Sequence, residues 1–353
     1  MADEAPILQK APPLDPAWLQ YEEEASLLAP KPAMDPLQRQ GLYAAQCRER
    51  NSAMMAVGAR DHHLSQGIKT QHTSVPSSLD GFAIPVLQYD LAPEEDGGGG
   101  GGGAGETAAA EGAGHAWVVV YYHGGGLLVG EADSEDLSCR RIVRESRLPC
   151  VRLYSIGYRL QPLHPASTAV QDSIDALGWV ARAHPGSRVL VVGSSSGGEL
   201  AALATQRAAR GSFHGVVLRC PVTSDAFGGA GYVPERLRES HTSAWDRSFE
   251  TSLLGFMRRG LPRDGLERMP LEALEEDLTG MPKTWIQVCT NDVLYSDGVC
   301  YAKILANAGI DVRMDVVWGW PHTFWLKAPH LPRALEADKA MLEGIAWIAG
   351  LEA

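Results

Sequence analysis

The sequence predicts an α/β fold: a mostly parallel central sheet covered by helices on both faces, with a helical cap. Two patterns carry this reading. Short apolar runs recur at 116–122, 150–156, 188–193, 215–220, 284–290 and 312–318, each bounded by Gly, Pro or polar residues, as strands buried on both faces are. Helical stretches alternate with them around 134–146, 166–183, 197–210, 295–308 and 333–349, the order expected of strand–helix crossover units. A chain of 353 residues can bury a large core without help from disulfides or metal.

The chain opens on an acidic, proline-bearing stretch without a basic-then-apolar pattern, so no secretory leader is expected. Residues 16–57 read as helical. Trp18 and Tyr21 punctuate an acidic segment; Leu37, Leu42, Tyr43, Cys47, Met54 and Met55 then recur at helical spacing after Asp35-Pro36. Asp before Pro is a cap followed by a first-turn proline. Residues 1–60 are therefore assigned to a helical cap segment, and 78–350 to the α/β domain. Phe82 to Leu87 reads as the domain's first strand. Residues 94–115 contain seven consecutive glycines, Gly97 to Gly103. No Lys-Ser/Thr follows them, so the run is expected to be a flexible surface loop and not a phosphate cradle. Beyond the strand at 215–220, residues 222–281 exceed what one crossover helix needs. They carry Phe227, Tyr232, Trp245, Phe249, Leu253, Leu254 and Phe256, and are read as a cap or lid insertion.

Lys plus Arg total 31 and Asp plus Glu 43, a net charge of −12, which argues against nucleic acid or an anionic membrane surface as partner. No run approaches the ~20 apolar residues of a membrane helix, and a cytoplasmic location is expected. Cys47, Cys139, Cys150, Cys220, Cys289 and Cys300 form no C-x-x-C pair and no Cys/His cluster; they are read as structural thiols. Neither a dinucleotide nor a metal signature is present, so no cofactor and no metal are expected.

The chemistry concentrates in two glycine-dense segments. At 188–198 an apolar strand runs into Gly193-Ser194-Ser195-Ser196-Gly197-Gly198 and then a helix, the context of a nucleophile elbow. Only Ser195 has Gly at both −2 and +2, which singles it out from Ser194 and Ser196. The helix N-terminus beside it favours developing negative charge. Upstream, the strand 118–122 ends in His123-Gly124-Gly125-Gly126. Main-chain amides of such a loop, at Gly124, Gly125 and Gly126, can face a ligand unobstructed by Cβ atoms and form an oxyanion hole together with the amide of Ser196. His123 is expected to brace the loop. A nucleophilic serine needs a base and an orienting acid, in the chain order Ser, acid, His. Asp292 follows the strand 284–290, and His322 follows the last strand, where each can reach the elbow. Asp297 is expected to cap a helix or hold a loop.

These motifs resemble the hormone-sensitive-lipase-like branch of the α/β-hydrolases, the carboxylesterases marked by His-Gly-Gly-Gly. Tyr158-Arg159-Leu160-Gln161-Pro162 with His164-Pro165, Asp292-Val293-Leu294-Tyr295-Ser296-Asp297-Gly298 and His322-Thr323-Phe324 are similar to further segments of that family, over about residues 80–350. The resemblance implies an α/β-hydrolase catalytic domain, ester hydrolysis by Ser195, His322 and Asp292 through an acyl-enzyme, and a small-molecule ester as partner. The family usually has Asp-Ser-Ala at the elbow where this chain has Ser194-Ser195-Ser196; Glu199 replaces a usual Asn and Val293 a usual Pro. Loss of the acidic neighbour changes hydrogen bonding beside the nucleophile. The expected substrate is a small or medium apolar or aromatic carboxylic ester, secondary metabolites included; aromatic content points to a bulky, largely apolar or aromatic one rather than a short acyl chain or a sugar, with Trp18, Tyr43, Phe227, Trp245 and Trp320 as substrate-binding candidates. Two other readings stand beside it: release, cyclisation or elimination of natural-product thioesters at the same site, and a non-catalytic small-molecule receptor. A monomer or homodimer is expected.

Overall fold

Among the described residues, eight strands form one sheet in the order β1-β2-β4-β3-β5-β6-β7-β8. The computed structural model describes residues 5–30, 34–92, 117–254 and 263–351. The glycine-rich stretch 94–115 and Phe256 lie outside them.

In chain order the elements are helices α1 (Pro16–Glu24) and α2 (Pro36–Met55), strands β1 (Ile68–Pro76), β2 (Ala83–Leu91) and β3 (Trp117–Tyr122), helix α3 (Asp136–Glu145), strand β4 (Val151–Ile156), helix α4 (Ala166–Ala183), strand β5 (Arg188–Ser194) and helix α5 (Ser196–Arg207). Strand β6 (Gly215–Arg219), helix α6 (Glu275–Leu278), strand β7 (Thr284–Asn291), helix α7 (Tyr295–Asn307), strand β8 (Val312–Pro321) and helices α8 (Phe324–Lys327) and α9 (Pro332–Ala349) complete the chain. Pairings from β4 through β8 are parallel, whereas β1–β2 and β2–β4 are antiparallel. The strand absent from the sequence reading is β1. Most of its residues are exposed or half-buried, so no apolar run or alternation marks an edge strand paired on one side only.

Alternation along β3 divides the core. Trp117, Val119 and Tyr121 pack with Ile142 and Val143 of α3 and with Met341, Ile345 and Trp347 of α9. Val118, Val120 and Tyr122 pack with α4, α5 and α7 on the opposite face. Side chains of successive strand residues point to opposite faces, which is why a six-residue strand of large apolar residues is buried throughout.

The two N-terminal helices begin as their caps require: Asp15 Oδ1 accepts from the Ala17 amide and Asp35 Oδ1 from the Leu37 amide, at 2.8 and 2.9 Å. Helix α2 reaches the body through Gln40 Nε2, which donates to the carbonyls of Leu128 (3.0 Å) and Gln161 (2.8 Å). Described residues of 222–281 form short 3-10 turns and the four-residue α6. No described helix is long and apolar enough to cross a membrane.

Register places the site. Tyr122 of β3 pairs with Gly193 of β5, setting the His-Gly-Gly-Gly loop beside the elbow. Ser194 pairs with Arg219, and the Ser195 amide donates to the Arg219 carbonyl at 2.8 Å. A register shift near the end of β7 brings Asn291 opposite Pro321, so the residues that follow, Asp292 and His322, emerge side by side. All of them lie at the carboxyl ends of parallel strands, where open α/β sheets bind ligands.

Candidate active site

Ser195 sits between β5 and α5 with φ 54° and ψ −122°, a backbone conformation that a non-glycine residue adopts only when its surroundings enforce it. Glycines on both sides make the enforcement possible. A Cβ on Gly193 would overlap the Gly197 carbonyl, and one on Gly197 would overlap the Tyr122 carbonyl. The strand, turn and helix are packed backbone against backbone, and the serine hydroxyl is carried to the rim.

His322 Nε2 lies 2.8 Å from Ser195 Oγ, and its Nδ1 lies 2.6 Å from Asp292 Oδ2. With Nδ1–H donating to the carboxylate, Nε2 is the acceptor that faces the serine. The other carboxylate oxygen of Asp292 accepts from the Leu294 amide at 2.9 Å, which fixes its rotation. All three side chains are buried. Burial lowers the imidazole pKa, but the charge and hydrogen bond of Asp292, with a further bond to the Cys220 sulfur, outweigh it and hold His322 above its ordinary value. Cys220 is a neighbour the sequence reading classed as structural. Its sulfur lies within 4.8 Å of ligating atoms of Asp292 and His322, and 3.6 Å from Cys289 Sγ.

Across from this row stands the His123–Gly126 loop. His123 is buried; its Nδ1 bonds to the Gly124 carbonyl at 2.7 Å, and its ring stacks on Tyr158 at 4.4 Å. Tyr158 Oη also donates to the His123 carbonyl at 2.6 Å. Burial pulls the imidazole down to about 4, so it is a neutral brace at ordinary pH. Gly130, φ +112°, leaves room for that ring. One expected oxyanion donor is already engaged: the Gly124 amide donates to Glu135 Oε1 at 2.7 Å. Gly125, Gly126 and Ser196 supply the remaining candidate amides.

Two clefts meet at Ser195. One, of about 550 Å³, is lined by Leu128, Val222, Phe227, Leu254 and Leu294 together with Gln161, Glu199, Ser224 and Asp225. The other, of about 630 Å³, is lined by Tyr43, Arg50, Leu253, Leu326 and Lys327 beside His322 and the Gly124–Gly126 loop. Phe227 and Tyr43 thus each line one of the two clefts. Trp18 and Trp320 do not line these clefts. They are buried against one another, ring centroids 6.2 Å apart, and Trp320 also meets Phe324 at 4.5 Å. These rings from β8, α1 and α8 pack in one buried cluster with Cys220 and Cys289. Trp245, 40% exposed, packs edge-on against His241 and lines neither cleft. Sequence cannot separate a pocket ring from a packing ring, because both are apolar and beside the site.

Asp297 holds the start of the 222–281 segment. It accepts from the amides of Thr223 (2.6 Å) and Ser224 (2.8 Å), from Ser224 Oγ (2.9 Å) and from His241 Nε2 (2.6 Å). Ser224, His241 and Asp297 are not a second relay. Ser224 Oγ and Asp297 both face His241 Nε2, so a proton donated to Asp297 leaves no lone pair there for the serine. Among the described residues the only cluster with metal-ligating spacing is Cys220, Asp292 and His322, which belongs to the row already described.

A family model for the alpha/beta hydrolase fold matches residues 119–326. An FAD-linked oxidoreductase of Aspergillus terreus is 32% identical over 236 residues, 63% of this chain but 28% of that protein. A carboxylesterase of Mycobacterium tuberculosis is 31% identical over 193 residues, 52% of this chain and 59% of that protein. The match thus spans less than two thirds of either relative. The esterase of Pyrobaculum calidifontis superposes with a TM-score of 0.71 at 23% identity, covering 96% of this chain and 99% of that one; at that identity the likeness speaks to the fold. The matched span contains the glycine loop, the elbow and both strand ends that bear Asp292 and His322, and on that match the chain belongs to the α/β-hydrolase fold family, as its His-Gly-Gly-Gly and Gly-x-Ser-x-Gly segments implied.

Proposed function

We propose that this protein is a serine hydrolase of carboxylic esters. The observation that carries the reading is the continuous row from Ser195 Oγ through His322 to Asp292, with links of 2.8 and 2.6 Å. In it Ser195 is the nucleophile. As its oxygen attacks the ester carbonyl, its proton passes to His322 Nε2; Asp292 holds the imidazole in the required tautomer and stabilises the imidazolium. The carbonyl oxygen, now negative, is received by the amides of Gly125, Gly126 and Ser196 beside the N-terminus of α5. His322 then returns the proton to the departing alcohol. Water, activated by the same imidazole, attacks the acyl-enzyme in the second half of the cycle and frees the acid. No step requires a metal or an organic cofactor.

The substrate we propose is a small to medium, largely apolar ester. Two clefts at Ser195 give room for the acyl and alcohol portions, and Leu128, Val222, Phe227, Leu254 and Leu294 supply apolar walls in one of them. The carboxylesterase of Mycobacterium tuberculosis among the relatives supports the same reaction class. Hydrolysis of p-nitrophenyl acetate and butyrate, followed in wild type and in Ser195→Ala, tests this reading. Loss of the nucleophile is expected to lower kcat by about 10⁶-fold with the folded state intact by circular dichroism. A fluorophosphonate should label Ser195 and not Ser194 or Ser196 by peptide mapping. Turnover retained in Ser195→Ala would remove the assignment.

A further inference from the structure

Glu135 is the group in the molecule's catalytic half that no motif anticipates. It stands just before α3, buried, and reaches inward to accept three hydrogen bonds. Two converge on one oxygen: the Gly124 amide at 2.7 Å and Ser194 Oγ at 2.6 Å both donate to Oε1. Tyr121 Oη donates to Oε2 at 2.5 Å. Gly124 opens the glycine loop, and Ser194 immediately precedes the nucleophile. One carboxylate oxygen therefore ties the two halves of the oxyanion site together, at the place where the loop and the elbow already touch. A Cβ on Gly124 would stand 3.1 Å from the Ser194 carbonyl and 3.2 Å from Ser195 Cβ.

We propose, on the reading that the site hydrolyses esters, that Glu135 is a positioning residue: it holds the Gly125–Gly126 amides in register with the Ser196 amide, and it supplies from α3 the acidic group that the elbow itself lacks at Ser194. A buried carboxylate is costly unless donors surround it, and charge-assisted bonds are short and roughly twice as strong as neutral ones, so the clamp is stiff. The clamp also decides which loop amides remain for the substrate. Because the Gly124 amide is spent on Glu135, the loop amides left for a substrate are those of Gly125 and Gly126, which line the cleft beside Ser195. Burial raises the Glu135 pKa, opposed by the Gly124, Ser194 and Tyr121 donors and by the charge of Arg219.

The test separates positioning from simple support of the fold. Glu135→Leu removes both acceptors and should lower kcat by about 100-fold, the scale of one lost oxyanion donor, while KM changes less than about threefold, as expected for an interaction realised in the transition state. Ser194→Ala cuts only the link on the elbow side and should cost about tenfold in kcat, whereas Tyr121→Phe cuts a bond on the far oxygen and should cost less than about threefold, although each removes one hydrogen bond to the same carboxylate. Moving the acid across the pair, in S194D/E135N, keeps the combined reach of the two side chains and should restore at least about tenfold over E135N alone. Equal losses in Ser194→Ala and Tyr121→Phe, or wild-type kcat in a folded Glu135→Leu, overturn the proposal. If Glu135→Leu shows no cooperative melting, the Ser194/Tyr121 pair and the transferred acid decide. The rate of fluorophosphonate labelling of Ser195 is measured in every variant. A wild-type chain that labels without hydrolysing esters removes the esterase reading while the labelling rates still judge Glu135; one that does neither removes both.

Discussion

The elbow and the 222–281 segment meet at the same cleft but are built in opposite ways. At the elbow, backbone touches backbone: Gly193 and Gly197 have no room for a Cβ, and Ser195 is held in the left-handed half of the backbone map. In the segment, Gly231 has nothing within 4 Å, and the described chain is a series of short turns. Those turns are anchored from outside themselves, through Asp297 of α7. Reaction geometry is thus set by main-chain crowding, which tolerates almost no change. The cleft wall contributed by the segment is set by side chains on turns held by hydrogen bonds to Asp297.

That contrast can be broken at its strongest point first. Asp292→Asn should lower kcat by about 10⁴-fold, because the amide offers the imidazole the wrong partner. It should also move the pH profile. The Asp292 carboxylate is what raises His322, and neutral imidazole is the competent base, so kcat/KM in wild type should rise with pH through a titration above the ordinary ~6.5. In Asp292→Asn the residual activity should titrate lower. A wild-type inflection below that of the variant would contradict the assignment.

Next come the rings. Trp320→Ala should cost about 3–5 kcal/mol of stability, the usual range for a buried Trp truncation, read as a fall in the denaturant midpoint. Phe227→Ala, in the cleft wall and only half-buried, should cost less stability than Trp320→Ala and raise KM for an aromatic ester by about tenfold, about one to two kcal/mol of lost apolar contact. If Trp320→Ala instead raised KM selectively, the ring would belong to the pocket after all.

The glycines sharpen the comparison. Gly193→Ala forces backbone apart and should cost at least about 1–3 kcal/mol together with most of the activity. Gly231→Ala, with open space around it, should stay within about 0.5 kcal/mol and keep wild-type turnover. Similar melting curves for the two variants would show that the elbow is less crowded than its geometry states.

Sequence alone determined the strand and helix alternation, the elbow and the glycine loop. These are local: a buried parallel strand needs an unbroken apolar run such as Val118 to Tyr122, and a sharp strand–turn–helix needs Gly at fixed offsets from Ser195. The candidate acid and base were legible for the same reason, since each follows directly on a strand. Tertiary structure alone decided the rest. Edge strand β1 has too little burial to leave a pattern. Whether Trp18 and Trp320 pack or bind depends on what lies across from them, and they face each other. Glu135 reads in sequence as one more acidic residue before a helix, and only the turn into α3 aims it at Gly124 and Ser194. The missing acid at Ser194 was the hint. Glu135 lies 59 residues upstream of Ser194, and the two meet only because sheet register sets the glycine loop beside the elbow; register is a property of the folded chain because it is set by which faces are buried.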